Sequence, residues 1–191
     1  MRFVSHLTSS LGLVAAAACA PRTTPSVVPS PVGSGIPTTL QGFRLVETEQ
    51  IPERDGGGQL YRFTDGTGVQ LTVFVYPVPA DVQQGDSANW VLVEGAKFEQ
   101  VLPIQVQRGR YDTYEMAFAQ PEPVVSEGHT IPVHVAAART RSGQSISMQL
   151  QYLYLIRGQF LKVRATLPGD SWQRAPVPTF AHDLARRVYA R

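Results

Sequence analysis

The side chains able to do chemistry in this sequence begin with a thiol that stands alone. Cys19 is the one cysteine of the 191-residue chain. A single cysteine excludes an intramolecular disulfide and every cysteine-rich metal site, and everything after it lacks a thiol nucleophile. Of the four histidines, His129 and His134 flank the start of a strand at a spacing of five. An odd separation on a strand turns two side chains to opposite faces, so this pair predicts no shared metal. His182 and Asp183 are neighbours in a helical stretch, where adjacent side chains point about 100° apart. With no third partner in the sequence they read as solvated surface. Glu94, Glu99, Asp112 and Glu115 lie near one helix–strand connection. Two of them facing each other would suit a hydrolase built on paired carboxylates, although surface solubility is the ordinary account of such acids.

Other catalytic arrangements are missing. Beyond Cys19 the sequence contains no Gly-x-Ser-x-Gly elbow and no Ser-x-x-Lys. Gly56-Gly57-Gly58 is not followed by the Gly-Lys-Ser/Thr that cradles phosphate. Asp65-Gly66-Thr67-Gly68 lacks the regular oxygen ligands and distal Glu of a calcium loop, and reads as a turn. The sequence therefore predicts no cofactor and no catalytic residue. Arginines come in pairs, Arg108 with Arg110 and Arg139 with Arg141, each sharing a strand face if extended. Such pairs suit anionic lipid or glycan, and charged strand ends also guard sheet edges against aggregation. Arg139 and Arg141, with Trp172 beside Gly169-Asp170, form the candidate binding surface.

Composition bounds the rest. Hydrophobic residues make up 43% and charged residues 17% of the chain, a globular balance. The formal net charge is +2 (17 bases, 15 acids), and removing residues 1–18 takes only Arg2. That near-neutral balance gives no concentrated basic face for nucleic acid. Lys97 and Lys162 are the only lysines.

The amino terminus reads as an address. Met1 to His6 carries one fixed positive charge, and Leu7 to Ala18 is an apolar run too short to span a bilayer. The run Ala15-Ala16-Ala17-Ala18 before Cys19 resembles the lipobox of bacterial lipoproteins, departing from it in having Ala16 where Leu is usual. The resemblance implies removal of residues 1–18 as a signal peptide and acylation of Cys19, which anchors the chain to a membrane with the domain facing the periplasm. Two or three acyl chains give stable anchoring, at ~0.8 kcal/mol per buried CH₂. Cleavage at Ala16-Ala17-Ala18 without acylation is the alternative. From 19 to 40 the chain is rich in Pro, Ser and Thr, with Pro21, Pro25, Pro29, Pro31 and Pro37, and reads as a tether.

A single domain is expected over 41–191. Phe43–Glu47, Gln59–Thr64 and Val69–Val78 read as strands, with Asp65-Gly66 turning the second into the third. Asp86 or Ser87 caps a helix over about 88–102, with Gly95 placed for close packing on a sheet. Strands follow at 111–119, 131–141, 145–157 and 160–167, with a loop from Pro121 to Gly128. A closing helix presents Phe180, Ala181, Leu184 and Val188 inward. Short turns between neighbours require antiparallel pairing. The fold class is α+β, an antiparallel sheet in the order β-β-β-α-β-β-β-β-α covered by helices.

That order, with Phe160 to Pro168 before a closing helix, resembles the PsbP-like α-β-α fold, which includes photosystem extrinsic subunits and bacterial lipoproteins. The resemblance covers about 120 residues, carries over no functional residue, and implies a non-catalytic binding or assembly role. The expectation is thus an envelope lipoprotein that is not an enzyme and takes an envelope protein or a small molecule as partner.

Overall fold

The computed structural model describes residues 32–83, 86–169 and 175–191. Cys19 and Trp172 lie outside them, as do the expected signal peptide and most of the expected tether. The fold is α+β: an eight-stranded, all-antiparallel sheet with one long helix on each face. Its strands are β1 (Thr39–Leu40), β2 (Phe43–Ile51), β3 (Gly58–Thr64), β4 (Gln70–Pro77), β5 (Thr113–Pro121), β8 (Val133–Ser142), β9 (Ser145–Ile156) and β10 (Gln159–Pro168). A separate ribbon pairs β6 (Val124–Ser126) with β7 (His129–Ile131). The helices are α1 (Ser87–Gln107) and α2 (Val177–Tyr189).

Spatial order is β1-β2-β3-β4-β10-β9-β8-β5. Two meanders, β2-β3-β4 and β8-β9-β10, are joined by the β4–β10 pairing, in which Val73 faces Val163 and Val75 faces Leu161. α1 carries the chain from β4 to the far edge strand β5. The Asp65-Gly66 hairpin forms as expected: Asp65 accepts from the Thr67 amide at 2.8 Å and from the Thr67 hydroxyl at 2.7 Å. These bonds hold the Asp65 carboxyl below the usual carboxylate range, the Thr67 hydroxyl bond contributing most.

The main core lies under α2. Phe180 takes the rings of Phe43 and Phe63 edge-on, at centroid distances of 5.2 and 5.1 Å. Phe180, Ala181, Leu184 and Val188 are all buried, the inward face expected of this helix. Burial alternates from Ser147 to Leu150 of β9 and covers both faces from Leu150 to Tyr154, because α1 covers one side and α2 the other.

Several boundaries differ from expectation. The folded body begins before residue 41: Val32 is 2% exposed within the main core, and Thr39–Leu40 pairs with Phe43–Arg44. The tether expectation over 19–40 is corrected at its end, since 32–40 contribute a 3₁₀ turn and an edge strand to the domain. α1 is capped by Asp86, whose carboxylate accepts from the Asn89 amide at 2.9 Å. It runs to Gln107, past Pro103, although a proline inside a helix removes one hydrogen bond and costs ~3 kcal/mol. Burial of Phe98 and Leu102 just before the proline offsets that cost. As a result Arg108 is the helix C-cap and Arg110 lies in the following turn, so neither stands on a strand face as expected. The expected loop at 121–128 contains β6.

Candidate functional site: a groove beside the first helix

α1 lies over β5, β8 and β9, touches β4 and β10 through Glu94 at Tyr76 and Lys162 and through Val91 at Phe160, and leaves the rest of that face of β3, β4 and β10 open. Strand alternation decides which side chains stand on this open half. In β3 they are Leu60 and Arg62, in β4 Thr72, Phe74 and Tyr76, and in β10 Lys162, Arg164 and Thr166. Arg62 at the outer side is held by Glu47 and by Glu49 at 3.5 Å. Over this half-sheet runs a groove with two compartments, both lined by Phe74 and Arg164, the first of them against α1 and the second over β2, β3, β4 and β10. One compartment, of about 400 Å³, has Gln70, Thr72, Gln149 and Thr166 on its floor and Phe98 and Leu102 of α1 as its wall. The other, of about 420 Å³, is walled by Ile51, Leu60, Tyr76 and Pro79.

Both lysines of the chain end on one carboxylate at the rim of this groove. Glu94, on the underside of α1, takes Lys97 Nζ at 2.8 Å and Lys162 Nζ at 3.2 Å, and accepts from the Tyr76 hydroxyl at 2.9 Å. Lys97 also reaches Asp81 at 3.4 Å, and Lys162 sits 4.8 Å from the centre of the Tyr76 ring. Burial raises the carboxyl pKa of Glu94, yet the Lys97 hydrogen bond, the Lys162 charge and the Tyr76 bond together hold it below the usual carboxylate range. Among the described residues Lys162 has this single acceptor, and burial leaves its ammonium pKa below the usual lysine range. The asymmetry follows from the count of partners: one carboxylate collects three donors, and one buried ammonium finds one acceptor. Burial, with the Glu94 charge beside it, raises the Tyr76 phenol far above its ordinary value.

Arg164 is different. It stands between Thr72 of β4 and Gln151 of β9 in the sheet register. Among the described residues its side chain has no carboxylate partner, and burial holds its guanidinium pKa below the usual arginine range. Gln151, at 2% exposure, leaves its Nε2 unpaired. Arg110 joins Arg164 in the lining of the polar compartment. A guanidinium stays charged in proteins and offers only donors. What this arrangement can do chemically is hold an acceptor or an anion.

The residues singled out in the sequence fall elsewhere. Arg139 and Arg141 share one face of β8, as their spacing requires, and stand opposite Glu115 and Thr113 of the edge strand β5. They line a separate pocket of about 340 Å³ with Tyr114 and Ile146, away from the groove. Of the four acids, Glu94 is taken up by lysines, and Asp112 Oδ2 accepts from the Gly143 amide at 2.6 Å, tying the β8–β9 turn to the start of β5. His134 is buried under α1, whereas His129 is exposed on β7 with its ring 6.1 Å from that of Tyr189. His182 corrects the surface reading: its side chain is 17% exposed, Nδ1 lies 3.1 Å from the Tyr154 hydroxyl, and Nε2 lies 3.7 Å from Glu122. Among the described residues no three His, Cys, Asp or Glu side chains come together to hold a metal ion, and no helix is long and apolar enough to cross a membrane.

Sequence reasoning missed the groove because its parts are scattered over β4, α1, β9 and β10. The one available signal was the rarity of lysine, since both lysines turn out to share a partner.

No family model matches the chain, and a search of the curated proteins finds no match. Among solved structures the chain is similar to the solution structure of cyanobacterial PsbP (CyanoP) from Synechocystis sp. PCC 6803. The TM-score is 0.48 at 15% identity, over 76% of this chain and 79% of that one.

Proposed function

We propose that this protein is a non-catalytic binding module of the bacterial cell envelope, anchored to the bilayer by acylated Cys19 and taking a small molecule into the groove beside α1. The observation that carries the binding role is the groove itself, whose first compartment of about 400 Å³ has a polar floor and an apolar helical wall, with Arg164 at its border with the second. Clefts of this size with a few convergent polar groups are where small ligands are held. The apolar run before Cys19 and the prolines after it support the anchor.

Two changes in the full-length chain test this reading. Cys19→Ala moves the protein from the membrane fraction to the soluble fraction, and the intact mass of the parent chain exceeds that of its polypeptide by the acyl groups. Thr72→Trp fills the groove while leaving the membrane fraction unchanged. It abolishes the small-molecule adducts that native mass spectrometry detects on the protein purified from its own envelope. Retention of Cys19→Ala in the membrane overturns the anchor. Steady turnover of an envelope substrate, lost on Glu94→Gln, overturns the non-catalytic reading in favour of a tethered hydrolase.

A further inference from the structure

We propose that the ligand of the groove carries a carboxylate, which docks on the Arg164 guanidinium with Arg110 at the mouth as a second contact. This rests on the groove being the binding site and names what the groove selects.

The argument is one of charge and partners. Three cations line the groove (Lys162, Arg164 and Arg110), and Glu94 answers one of them, the lysine. Arg62, on the same face, has Glu47 and Glu49. Asp55, which lines the apolar compartment, pairs with Arg54 at 3.5 Å. Arg164 is left half-buried with no carboxylate among the described residues. Taking a charge out of water without a counter-charge is costly, and a native fold keeps such a group where something else supplies the partner. A planar guanidinium matches a carboxylate through two parallel N–H···O bonds. The other polar groups of the floor, Thr72, Gln149 and Thr166, are neutral, so one buried positive charge calls for one negative charge. That favours a carboxylate over a doubly charged phosphate. Phe74 divides the groove beside Arg164, so the body of the ligand lies against an aromatic ring once its anionic end is seated.

The test uses the full-length chain in nonionic detergent micelles and three probes at matched ionic strength: singly charged propionate, inorganic phosphate and neutral propionamide. Propionate raises the melting temperature and shifts the amide resonances of Thr72, Gln149 and Arg164; propionamide does neither. Arg164→Gln weakens propionate at least tenfold, Arg164→Lys less, because the ammonium keeps the charge and loses the fork. Arg164→Met, without any probe, melts at a higher temperature than the parent chain, since the uncompensated charge is gone. Phosphate binding more tightly than propionate overturns the carboxylate. Propionate binding unchanged by Arg164→Gln, or a lower melting temperature for Arg164→Met, overturns the role of Arg164. Propionamide shifting the same amides equally in the parent chain and in Arg164→Gln leaves the groove standing and removes the anion. Adducts that survive Thr72→Trp remove the groove itself.

Discussion

Gly95 of α1 lies directly against the imidazole of His134 on β8: a Cβ at position 95 would meet His134 Cγ at 2.4 Å and Nδ1 at 2.5 Å. The missing side chain sets how close α1 comes to the sheet, and therefore how wide the groove beside it opens. Gly95→Ala is expected to lower stability by about 1–3 kcal/mol, the range for forcing a methyl into a packed site. In a His134→Ala background the same change costs much less, because the obstructing ring is gone. Urea unfolding of the two single variants and the double variant gives the coupling; purely additive losses would separate Gly95 from His134.

The Glu94 cluster predicts a second asymmetry. Glu94→Gln leaves Lys162, 18% exposed, without its one carboxylate and costs about 3 kcal/mol. Replacing both members, Glu94→Leu with Lys162→Met, recovers most of that loss, since an apolar pair of similar volume needs no counter-charge. Denaturant midpoints decide it.

The same carboxylate sets the acid limb. Its folded-state pKa is lowered, so its contribution is fully present above the unfolded carboxylate value and is lost as pH falls through the lower folded value. Glu94→Gln therefore flattens the fall in stability below about pH 4. A slope identical to that of the parent chain would contradict the burial of its charge.

His134 acts nearer neutrality. Burial lowers its pKa, so in the window between the folded value and the unfolded value of about 6.5 the unfolded chain binds more protons. Stability consequently falls as pH drops from 7 into that window. His182, lowered first by burial with Glu122 opposing, contributes with the same sign. His134→Gln removes part of this dependence and His134→Gln/His182→Gln removes more, as melting curves from pH 7.5 to 5 would record.

Val32→Ala tests where the fold begins. A residue of a solvated tether would tolerate the change without effect, whereas loss of a valine 2% exposed costs about 1–2 kcal/mol. Circular dichroism melts of the two chains distinguish these outcomes.

What could be read from the chain itself followed local rules. The Asp65-Gly66 turn, the Asp86 cap, the alternation of β9 and the inward face of α2 each depend on residues within a few positions of one another. The helix expected over 88–102 continues to Gln107, through Pro103 where a proline normally ends a helix, because Phe98 and Leu102 pack beneath it. Val32 was hidden among prolines, where composition pointed to a tether and the core contact comes from far along the chain. The groove was the least visible part. Arg164 looks like any alternating strand residue until β4, β9 and α1 are brought round it, and its lack of a carboxylate partner is a property of the assembled fold. Arg139 and Arg141 were conspicuous for their spacing, yet that spacing only placed them on one face of β8.

The entry of the chain at the edge of the sheet has a mechanical consequence. β1 lies outermost beside β2, so a load applied through the amino end reaches the sheet at its margin once the core contact of Val32 has given way. Antiparallel hydrogen bonds pulled from such a margin open one pair after another, as a zip does, while the groove strands β4 and β10 lie inboard of β2 and β3. Tension on an anchor would be spent peeling that border before it distorted the site.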